Sequence, residues 1–474
     1  MNTNNKMEEI VKYCEQYGYI FQGSEIYGGL ANTWDYGPLG SKLKNNIKDA
    51  WRYHFIQCRD NAFEVDADIL MNPKVWEASG HIQSFSDPLI DCKNCNVRHR
   101  ADNLIENHNK NVDVDKMTHE EMMDYIRTHK IPCPKCGKSD FTDIRNFNLM
   151  FKTTRGVTNE KQSTIYLRPE NAQGEYVNYL NILKSMRPKI PFSVGQIGKA
   201  FRNEITPGNF TFRTIEFEQM EYQTFCKPGE DHELYEYFKK FGIDFFKELG
   251  LPIEKLRFKD HEKLAHYAKE ACDIEYLFPF GWGEINGTHN RTDFDLKKHQ
   301  EFSGKKHEYF DQLFNEKYIP YIIESTYGLD RLILALICEG YTKEIENSGK
   351  ERLVLKLKPE LAPIKINILP LDKKNHSEMA LKLYRELRKK LVVSYDDKGN
   401  IGKRYKNGDA IGTPLAICVD DDTLNNNYIT IRERDTKEQI RVSIDQVENA
   451  SRKLLRRWDE IKSNIPFKVI INNR

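Results

Sequence analysis

The chain has 474 residues and a mass of 55.7 kDa, more than one ordinary hydrophobic core holds, which predicts two or three domains. Its 72 basic and 71 acidic residues leave a formal charge of +1, so only a local basic patch could attract nucleic acid. The longest apolar run, residues 332–338, is far shorter than the roughly 20 residues of a membrane span. The N-terminal residues lack the apolar segment of a signal peptide, so we expect a cytoplasmic protein with no membrane partner.

The N-terminal part predicts helices and strands separated by Gly-rich turns. Apolar residues three and four positions apart predict a helix over residues 7–19, and the Gly-rich stretch 28–40 argues against a regular helix there. A second helix is predicted over residues 41–58, followed by a strand over residues 63–70. The composition changes between residues 91 and 145, which indicates an insertion.

The central part predicts a set of strands and two strong helices. Strands are predicted over residues 163–167, 192–199 and 210–225, and the alternating apolar residues of the last are typical of a half-buried antiparallel strand. Residues 231–249 predict a helix that ends at a glycine followed by a proline. Two further strands are expected before residue 293, and residues 319–337 predict a strand, a turn and a buried helix.

The C-terminal residues predict a separate α/β unit. A strand over residues 365–369, a helix over 377–391 and a strand over 415–419 are followed by two more strands and a helix over 444–462. At roughly 110 residues, this unit has the size of a domain.

Four cysteines form two Cys-x-x-Cys pairs at the ends of the insertion: Cys92, Cys95, Cys133 and Cys136. Four thiolates can hold one tetrahedral Zn²⁺, each pair forming one knuckle, with a helix expected in the long segment between them. A redox pair and unmetallated cysteines remain alternatives. A catalytic zinc is not expected, because four thiolates leave no open coordination position. We interpret His99 and His108 as polar residues of the insertion rather than as ligands.

Residues 201–217 carry the clearest chemistry of the chain. Arg202 lies in FRNEI, and Arg213 and Phe217 lie in FRTIEF after a short loop. Arginine suits phosphate because its planar, permanently charged guanidinium contacts two oxygens at once. Since side chains alternate along a strand, Arg213 and Phe217 share one face and can contact the same ligand. This hairpin therefore predicts a nucleotide site.

These residues resemble motif 2 of the class II aminoacyl-tRNA synthetases. The sequence Gly328-Leu329-Asp330-Arg331 before an apolar helix is similar to motif 3, and the strand over 63–70 is similar to motif 1, the dimer-forming element. The resemblance implies an α+β fold in which an antiparallel sheet flanked by helices forms a catalytic domain over residues 1–361. It also implies a zinc-knuckle insertion over 91–145, a C-terminal α/β anticodon-binding domain over 362–474, and a homodimer.

By this resemblance, Arg202 holds the α-phosphate of ATP and Arg213 reaches the γ-phosphate. Adenine lies between Phe217 and Arg331, and Glu284 is a candidate ligand of Mg²⁺. Arg202 and Arg331 are the implied catalytic residues, because the reaction needs positioning and charge neutralisation rather than a nucleophilic side chain. The full set implied for ATP is Arg202, Asn203, Glu204, Phe212, Arg213, Phe217, Glu284, Ile285, Gly328 and Arg331.

Five phrases are similar to the glycyl-tRNA synthetases in particular: GGLANTWDYGPLG, NPKVWEASGH, RPENAQG, FEQME and NRTDFDL. Selection of the smallest amino acid requires a firm hold on its ammonium group and no room for a methyl group at Cα. The residues implied for glycine are Arg100, Glu170, Phe217, Glu218, Glu221, Arg291, Glu324 and Thr326. The chain departs from the usual Glu-Pro-Ser of the family at Glu324-Ser325-Thr326, where threonine keeps the hydroxyl and adds a methyl group.

The phrase KRYKNGDAIGTPLAICV, residues 403–419, is similar to the anticodon-binding domain shared by several class II enzymes. The resemblance implies tRNA(Gly) as partner, and Tyr405 and Arg432 are candidates for base contacts. A basic cluster near the C-terminus could contact phosphate or form a solvated helix face: Arg452, Lys453, Arg456 and Arg457.

Two alternatives to a glycine–tRNA ligase remain. One is a non-catalytic paralogue that acts as a nucleic-acid-binding accessory subunit, although such proteins usually lose the arginines that are present here at 202, 213 and 331. The other is a synthetase for proline, threonine or histidine, which the five glycine-type phrases argue against.

Overall fold

The structure is a computed structural model that describes residues 3–109, 112, 114, 117–156, 163–204, 208–262, 264 and 267–456. The helices of these residues are α1 (Thr3–Tyr17), α2 (Pro38–Arg52), α3 (Pro73–Ala78), α4 (His81–Ser84), α5 (Ala101–His108), α6 (His119–Thr128), α7 (Ala172–Met186), α8 (Asp231–Leu249), α9 (Phe294–Ser303), α10 (Leu329–Gly340), α11 (Lys373–Leu387), α12 (Ile401–Ala410), α13 (Asp421–Asn426) and α14 (Val447–Leu454). None of them is long and apolar enough to cross a bilayer.

The strands of the same residues are β1 (Ile20–Gln22), β2 (Trp34–Tyr36), β3 (Ala62–Glu64), β4 (Ser86–Asp91), β5 (Arg98–Arg100), β6 (Arg145–Asn148), β7 (Lys152–Arg155), β8 (Ser163–Tyr166), β9 (Phe192–Phe201), β10 (Glu216–Cys226), β11 (Leu256–Asp260), β12 (Glu270–Phe278), β13 (Gly281–Thr292), β14 (Tyr309–Asp311), β15 (Glu316–Tyr318), β16 (Tyr321–Gly328), β17 (Tyr341–Ile345), β18 (Glu351–Leu355), β19 (Ile366–Pro370), β20 (Val393–Tyr395), β21 (Leu415–Val419), β22 (Tyr428–Glu433) and β23 (Gln439–Ser443).

A seven-stranded sheet in the order β11-β12-β13-β16-β10-β9-β3 forms the centre of the larger unit. All its neighbours are antiparallel except β3, which runs parallel to β9. One face packs on α2, α8 and the apolar helix α10. The other face is covered at one end by α7 and remains open at the other end, where polar side chains of β10, β13 and β16 converge.

Strand β10 corrects the prediction of a half-buried strand over 210–225. The strand begins at Glu216, because residues 210–212 form a 3-10 turn, and its residues from 218 onwards are buried on both faces. Met220 and Tyr222 pack into the core below the sheet, whereas Glu221 faces the opposite side. The sequence is similar to that of a half-buried strand because the face opposite the core, although it is also buried, carries polar side chains such as Glu221.

The insertion folds around its own small core. Strands β5, β4 and β6 form an antiparallel sheet, and α5 and α6 pack together beside it. Helix α6 lies in the segment where the sequence predicts one. It begins with a capping box in which Thr118 accepts a hydrogen bond from the backbone of Glu121 and the Glu121 carboxylate accepts one from Thr118.

The C-terminal unit is a five-stranded sheet in the order β20-β19-β21-β22-β23, with parallel pairing between β20, β19 and β21. Buried bonds tie it to the preceding part: the Tyr13 hydroxyl donates to the carbonyl of Ala410 at 2.7 Å, and Arg352 of β18 pairs with Asp409 at 2.8 Å. The helix predicted over 444–462 is a 3-10 turn followed by α14, and its residues from 457 lie outside the described part of the chain.

Candidate active site

A cavity of about 320 Å³ lies on the open face of the central sheet, over strands β10, β13 and β16. Each strand contributes alternate side chains: Phe217, Gln219 and Glu221 from β10, Arg291 from β13, and Glu324 from β16. The site therefore depends on the register of three strands that are distant in sequence. Of the residues implied for ATP, only Asn203 lies outside the lining, and its backbone N–H donates to the carbonyl of Leu149 at 2.8 Å.

One end of the cavity is cationic. Arg202 follows β9, its Nε donates to the carbonyl of Pro169 at 3.1 Å, and its guanidinium carbon lies 5.3 Å from the centroid of the Phe217 ring. Arg213 lines the same end. Two arginines beside an aromatic ring are the groups that a nucleoside triphosphate requires, because the guanidinium groups bind phosphate oxygens and the ring can stack on a base.

Arg331, at the start of α10, is held by three hydrogen bonds. Its Nε donates to the carbonyl of Phe212 at 3.1 Å, and its Nη1 donates to the carbonyl and to the carboxylate of Glu284, both at 3.0 Å. The ring that lies against its guanidinium is that of Phe212, 4.4 Å away. Although burial opposes it, the charge of Arg331 holds the pKa of Glu284 below its ordinary value.

The other end of the cavity is a cluster of buried glutamates. Glu324 accepts hydrogen bonds from Arg291 Nη1 at 3.1 Å and pairs with His289 Nδ1 at 2.8 Å. Burial opposes ionisation, yet these two groups lower the pKa of Glu324 to about 2. Burial and the charge of Glu324 raise the pKa of Glu221 well above its ordinary value, and Glu221 accepts a hydrogen bond from the Thr326 hydroxyl at 2.6 Å. The two carboxyl groups are therefore shifted in opposite directions: the site favours the ionised form of Glu324 and the protonated form of Glu221.

Glu170 completes this end of the cavity. Burial opposes its ionisation, but the charges of His81 and Arg291 together with hydrogen bonds lower its pKa. Its partners are His81 Nε2 at 3.4 Å and Gln173 Nε2, which donates to it at 3.0 Å. The histidine comes from the phrase NPKVWEASGH, which sequence analysis did not connect with a particular contact.

Two residues implied for glycine have other partners. The Glu218 carboxylate faces away from Glu221, because residues three positions apart in a strand lie on opposite faces, and it binds Lys44 at 2.8 Å and Lys48. Arg100 lies outside the cavity lining in the insertion, where it pairs with Asp87 at 2.9 Å and Asp102 at 2.5 Å. Their ion pairs give both residues a structural role in this conformation.

Sequence reasoning missed several residues that contact the site. Asp330 accepts hydrogen bonds from the Glu218 backbone at 2.7 Å and from the Tyr36 hydroxyl at 2.5 Å, although it lies within the motif 3 phrase itself. The Tyr267 ring lies 4.1 Å from the Arg291 guanidinium. His289 could have been found, because it stands two positions before Arg291 in β13 and so shares its face.

The four cysteines of the insertion are brought together as predicted. The Sγ atoms of Cys92 and Cys136 are 3.6 Å apart, those of Cys95 and Cys133 are 3.7 Å apart, and all four lie within 4.8 Å of one another. A tetrahedral zinc with bonds of about 2.3 Å requires sulfur atoms about 3.8 Å apart, so the donor set fits this metal. A backbone N–H lowers the pKa of Cys136 to about 6, whereas burial and the neighbouring thiols raise the pKa of Cys95 to about 12. His99 lies beside the cluster, with its Nε2 3.3 Å from Cys133 Sγ.

Comparison with known families agrees with this architecture. Residues 105–340 match the family described as tRNA synthetase class II core domain (G, H, P, S and T), and residues 363–454 match the family described as anticodon binding domain. A prolyl-tRNA synthetase from Cryptosporidium parvum, solved with L-proline and AMP, shares the fold with a TM-score of 0.60 at 15% identity, over 95% of this chain and 75% of that chain. The fold and the cavity together define a class II aminoacyl-tRNA synthetase.

Curated relatives identify the family within this class. The glycine–tRNA ligase of Caldanaerobacter subterraneus subsp. tengcongensis is 54% identical over 448 residues, covering 93% of this chain and 97% of the relative. That of Acetivibrio thermocellus is 53% identical over 453 residues, covering 94% and 98%. This chain belongs to the glycine–tRNA ligase family. The fold class and the family predicted from the sequence are therefore confirmed.

Proposed function

We propose that the cavity joins glycine to ATP and that the chain then transfers glycine to the 3′ end of tRNA(Gly). One cavity contains two kinds of site, and this observation supports the proposal. Arginines and aromatic rings lie at one end, and the glutamate cluster around Arg291 lies at the other. In the first step, a carboxylate oxygen of glycine attacks the α-phosphorus of ATP. The bond between the α-phosphorus and the oxygen that joins it to the β-phosphorus breaks, so that pyrophosphate leaves. In the second, a hydroxyl of the terminal ribose attacks the carbonyl carbon, and AMP leaves.

The arginines supply the charge that the first step requires. The α-phosphate gains negative charge in the transition state, and Arg202 would stabilise it. Arg213 would hold the γ-phosphate, and Phe217 and Arg331 would hold the base between them. Glu284, on the same side of the cavity, would hold Mg²⁺ against the phosphates. Positioned cations are sufficient for this chemistry, so we assign no nucleophilic side chain.

The glutamate cluster suits the ammonium group of glycine. The ionised Glu324 and Glu170 attract a cation, and the hydrogen bond between Thr326 and Glu221 narrows the space beside them. A methyl group on Cα would have to enter this space, where a clash costs more than the ~1–3 kcal/mol that a missing methylene group costs in an ordinary pocket. We therefore propose that exclusion, rather than attraction, discriminates glycine from alanine.

Pyrophosphate exchange with each of the twenty amino acids tests the assignment. We expect exchange with glycine, and we expect Arg331→Gln to lower its kcat/KM at least ~100-fold, while Arg385→Gln on the exposed side of α11 leaves it unchanged. Exchange with alanine or serine but not glycine would refute the glycine assignment. Exchange with no amino acid would instead favour the non-catalytic accessory subunit.

The C-terminal unit is proposed to bind the anticodon. The sequence candidate Arg432 is unsuited to base contacts, because it is buried and its Nη atoms donate to both oxygens of Asp409, at 2.9 and 3.2 Å. The exposed Arg452 and Lys453 of α14 are better placed for phosphate, although Arg452 also pairs with Glu448 at 3.1 Å. Arg457 of the same cluster lies outside the described residues.

We further propose a structural Zn²⁺ on the four cysteines, a homodimer and a cytoplasmic location. The sulfur spacing supports the metal, the motif 1 resemblance supports the dimer, and membership of the synthetase family supports the location. Metal analysis and sedimentation of the purified chain test the first two. Less than about half an equivalent of zinc, or a monomer at micromolar concentration, would contradict them.

A further inference from the structure

Three side chains of types that can bind a metal ion meet at the edge of the cavity, and none of them is among the residues implied for ATP or glycine. His261 follows β11, Asp273 lies in β12 and His289 lies in β13, so three adjacent strands bring them together. His261 Nε2 lies 2.9 Å from Asp273 Oδ2, and one possible ligand atom from each residue lies within 4.8 Å of the others. Each of the three side chains is only partly exposed, between 14% and 33%.

The orientation of His289 is fixed by Glu324. Its Nδ1 faces the Glu324 carboxylate at 2.8 Å, and Arg291 holds the same carboxylate at 3.1 Å. Since Glu324 accepts at this contact, Nδ1 is the donor, and Nε2 is the ring nitrogen that remains to bind a metal ion. A carboxylate on the far nitrogen is the arrangement that metal-binding histidines commonly show.

Nε2 of His289 borders a space that Gly287 keeps open. A Cβ atom added at Gly287 would lie 3.4 Å from Nε2 of His289 and 3.5 Å from Oδ1 of Asp273. Both donor atoms therefore border the same gap, in which this glycine has no side chain. Nε2 of His289 and Oδ1 of Asp273 are therefore next to the same space.

We propose that His261, Asp273 and His289 bind one Zn²⁺-like divalent ion, with Glu324 as the group that orients His289. Two imidazoles and one carboxylate favour borderline ions such as Zn²⁺ and Co²⁺ over Mg²⁺, which prefers oxygen ligands. Metal–ligand bonds of about 2.0–2.2 Å in a tetrahedral site place the ligand atoms about 3.4 Å from one another. The three ligand atoms here lie within 4.8 Å of one another, so metal binding requires only small side-chain movements. Three protein ligands leave a position open, unlike the four cysteines.

Occupancy of this site would act on glycine through Glu324, a consequence that rests on the proposed function. A metal bound to Nε2 of His289 makes its Nδ1–H a stronger hydrogen-bond donor to the Glu324 carboxylate. This carboxylate, which we assign to the glycine ammonium, is then less available to glycine. The ion also adds positive charge beside that ammonium. We therefore expect the metal to raise the KM for glycine, which makes the site inhibitory.

Cobalt titration of the full chain, with its cysteines already filled by zinc, tests the metal site without any catalysis. We expect one further equivalent of Co²⁺, with d–d absorption and no thiolate charge-transfer band. Asp273→Asn and His261→Ala should abolish this equivalent, whereas His232→Ala, an exposed histidine paired with Glu270, should keep it. Unchanged circular dichroism and zinc content verify the fold of each variant.

No further equivalent in the wild type, or an equivalent that survives Asp273→Asn, would overturn the proposal. Glycine-dependent pyrophosphate exchange then tests the coupling: Co²⁺ should raise the KM for glycine several-fold in the wild type and leave it unchanged in Asp273→Asn. A KM that does not respond would refute the coupling. Absence of exchange in every sample would refute the proposed function, while the titration would still decide the metal site.

Discussion

Glu175 of α7 is a buried carboxyl group for which the active site has no evident use. Its side chain is 0% exposed, and neither carboxylate oxygen has a hydrogen-bond partner among the described residues. Burial raises its pKa well above the ordinary value, the charges of Glu221 and Glu324 raise it further, and Arg168 opposes them only in part. The folded state therefore favours the protonated form of Glu175, and its unpaired polar atoms lower the stability of the fold.

We expect Glu175→Met to stabilise the protein, because methionine has a similar length and no polar atom. Removing an unsatisfied buried polar group is worth about 1–3 kcal/mol. The gain should grow with pH. Above a pH of about 4.3 the unfolded state loses this proton while the folded state keeps it, so the wild type loses about 1.4 kcal/mol per pH unit until the raised folded pKa is reached.

Thermal unfolding of the full chain at pH 5 and pH 8 measures both effects. Each kcal/mol of unfolding free energy corresponds to a change in Tm of roughly 2–4 °C in domains of about 150–250 residues. Glu175→Gln should remove the pH dependence with a smaller gain in Tm, and Glu254→Met, at an exposed position, should change neither quantity. A methionine variant that melts below the wild type at pH 8, or that follows the same pH dependence, would refute the reasoning.

Three further predictions concern other parts of the molecule. Thr326→Val removes the hydroxyl that donates to Glu221 and should raise the KM for glycine ~10-fold in pyrophosphate exchange, the equivalent of about 1.4 kcal/mol. Arg352→Met removes one of the two arginines that pair with the buried Asp409 and leaves Arg432 in place, so it should destabilise the junction by about 1–3 kcal/mol in thermal unfolding. Cys133→Ser should lower the zinc content below half an equivalent and make the insertion sensitive to protease.

Each of these variants has a matched control. Thr326→Ser keeps the hydroxyl and should retain a KM near that of the wild type, so equal effects of serine and valine would contradict the role of the hydrogen bond. Arg385→Met replaces an exposed arginine and should leave Tm unchanged. Cys58→Ser replaces an exposed cysteine outside the cluster and should keep a full equivalent of zinc.

Local sequence signals located the elements that begin and end at strong boundaries. The helix predicted over 231–249 coincides with α8, because its apolar spacing is regular and Gly250 adopts the left-handed conformation that ends it. The strand over 415–419 coincides with β21. The strand over 63–70 is shorter than predicted, Ala62–Glu64, since only this part finds a partner in β9.

Local sequence signals likewise located some active-site residues but not the orientation of others. Local phrases identified Arg202, Arg213 and Arg331, and all three line the cavity. They could not show that Glu218 turns to lysines of α2, because that depends on which face of β10 the helix covers. The helices α7 and α12 have no strong local signal in the sequence, because tertiary packing decides them.

By itself, the sequence determined the family and the two pairs of cysteines that can bind one metal ion. These features are carried by residues close together in the chain, where spacing alone fixes the chemistry. Only the tertiary structure decided the pKa of each buried carboxyl group, which is lowered for Glu324 beside Arg291 and raised for Glu221 and Glu175. The cause is physical, since a pKa depends on burial and on neighbouring charges that distant strands bring together.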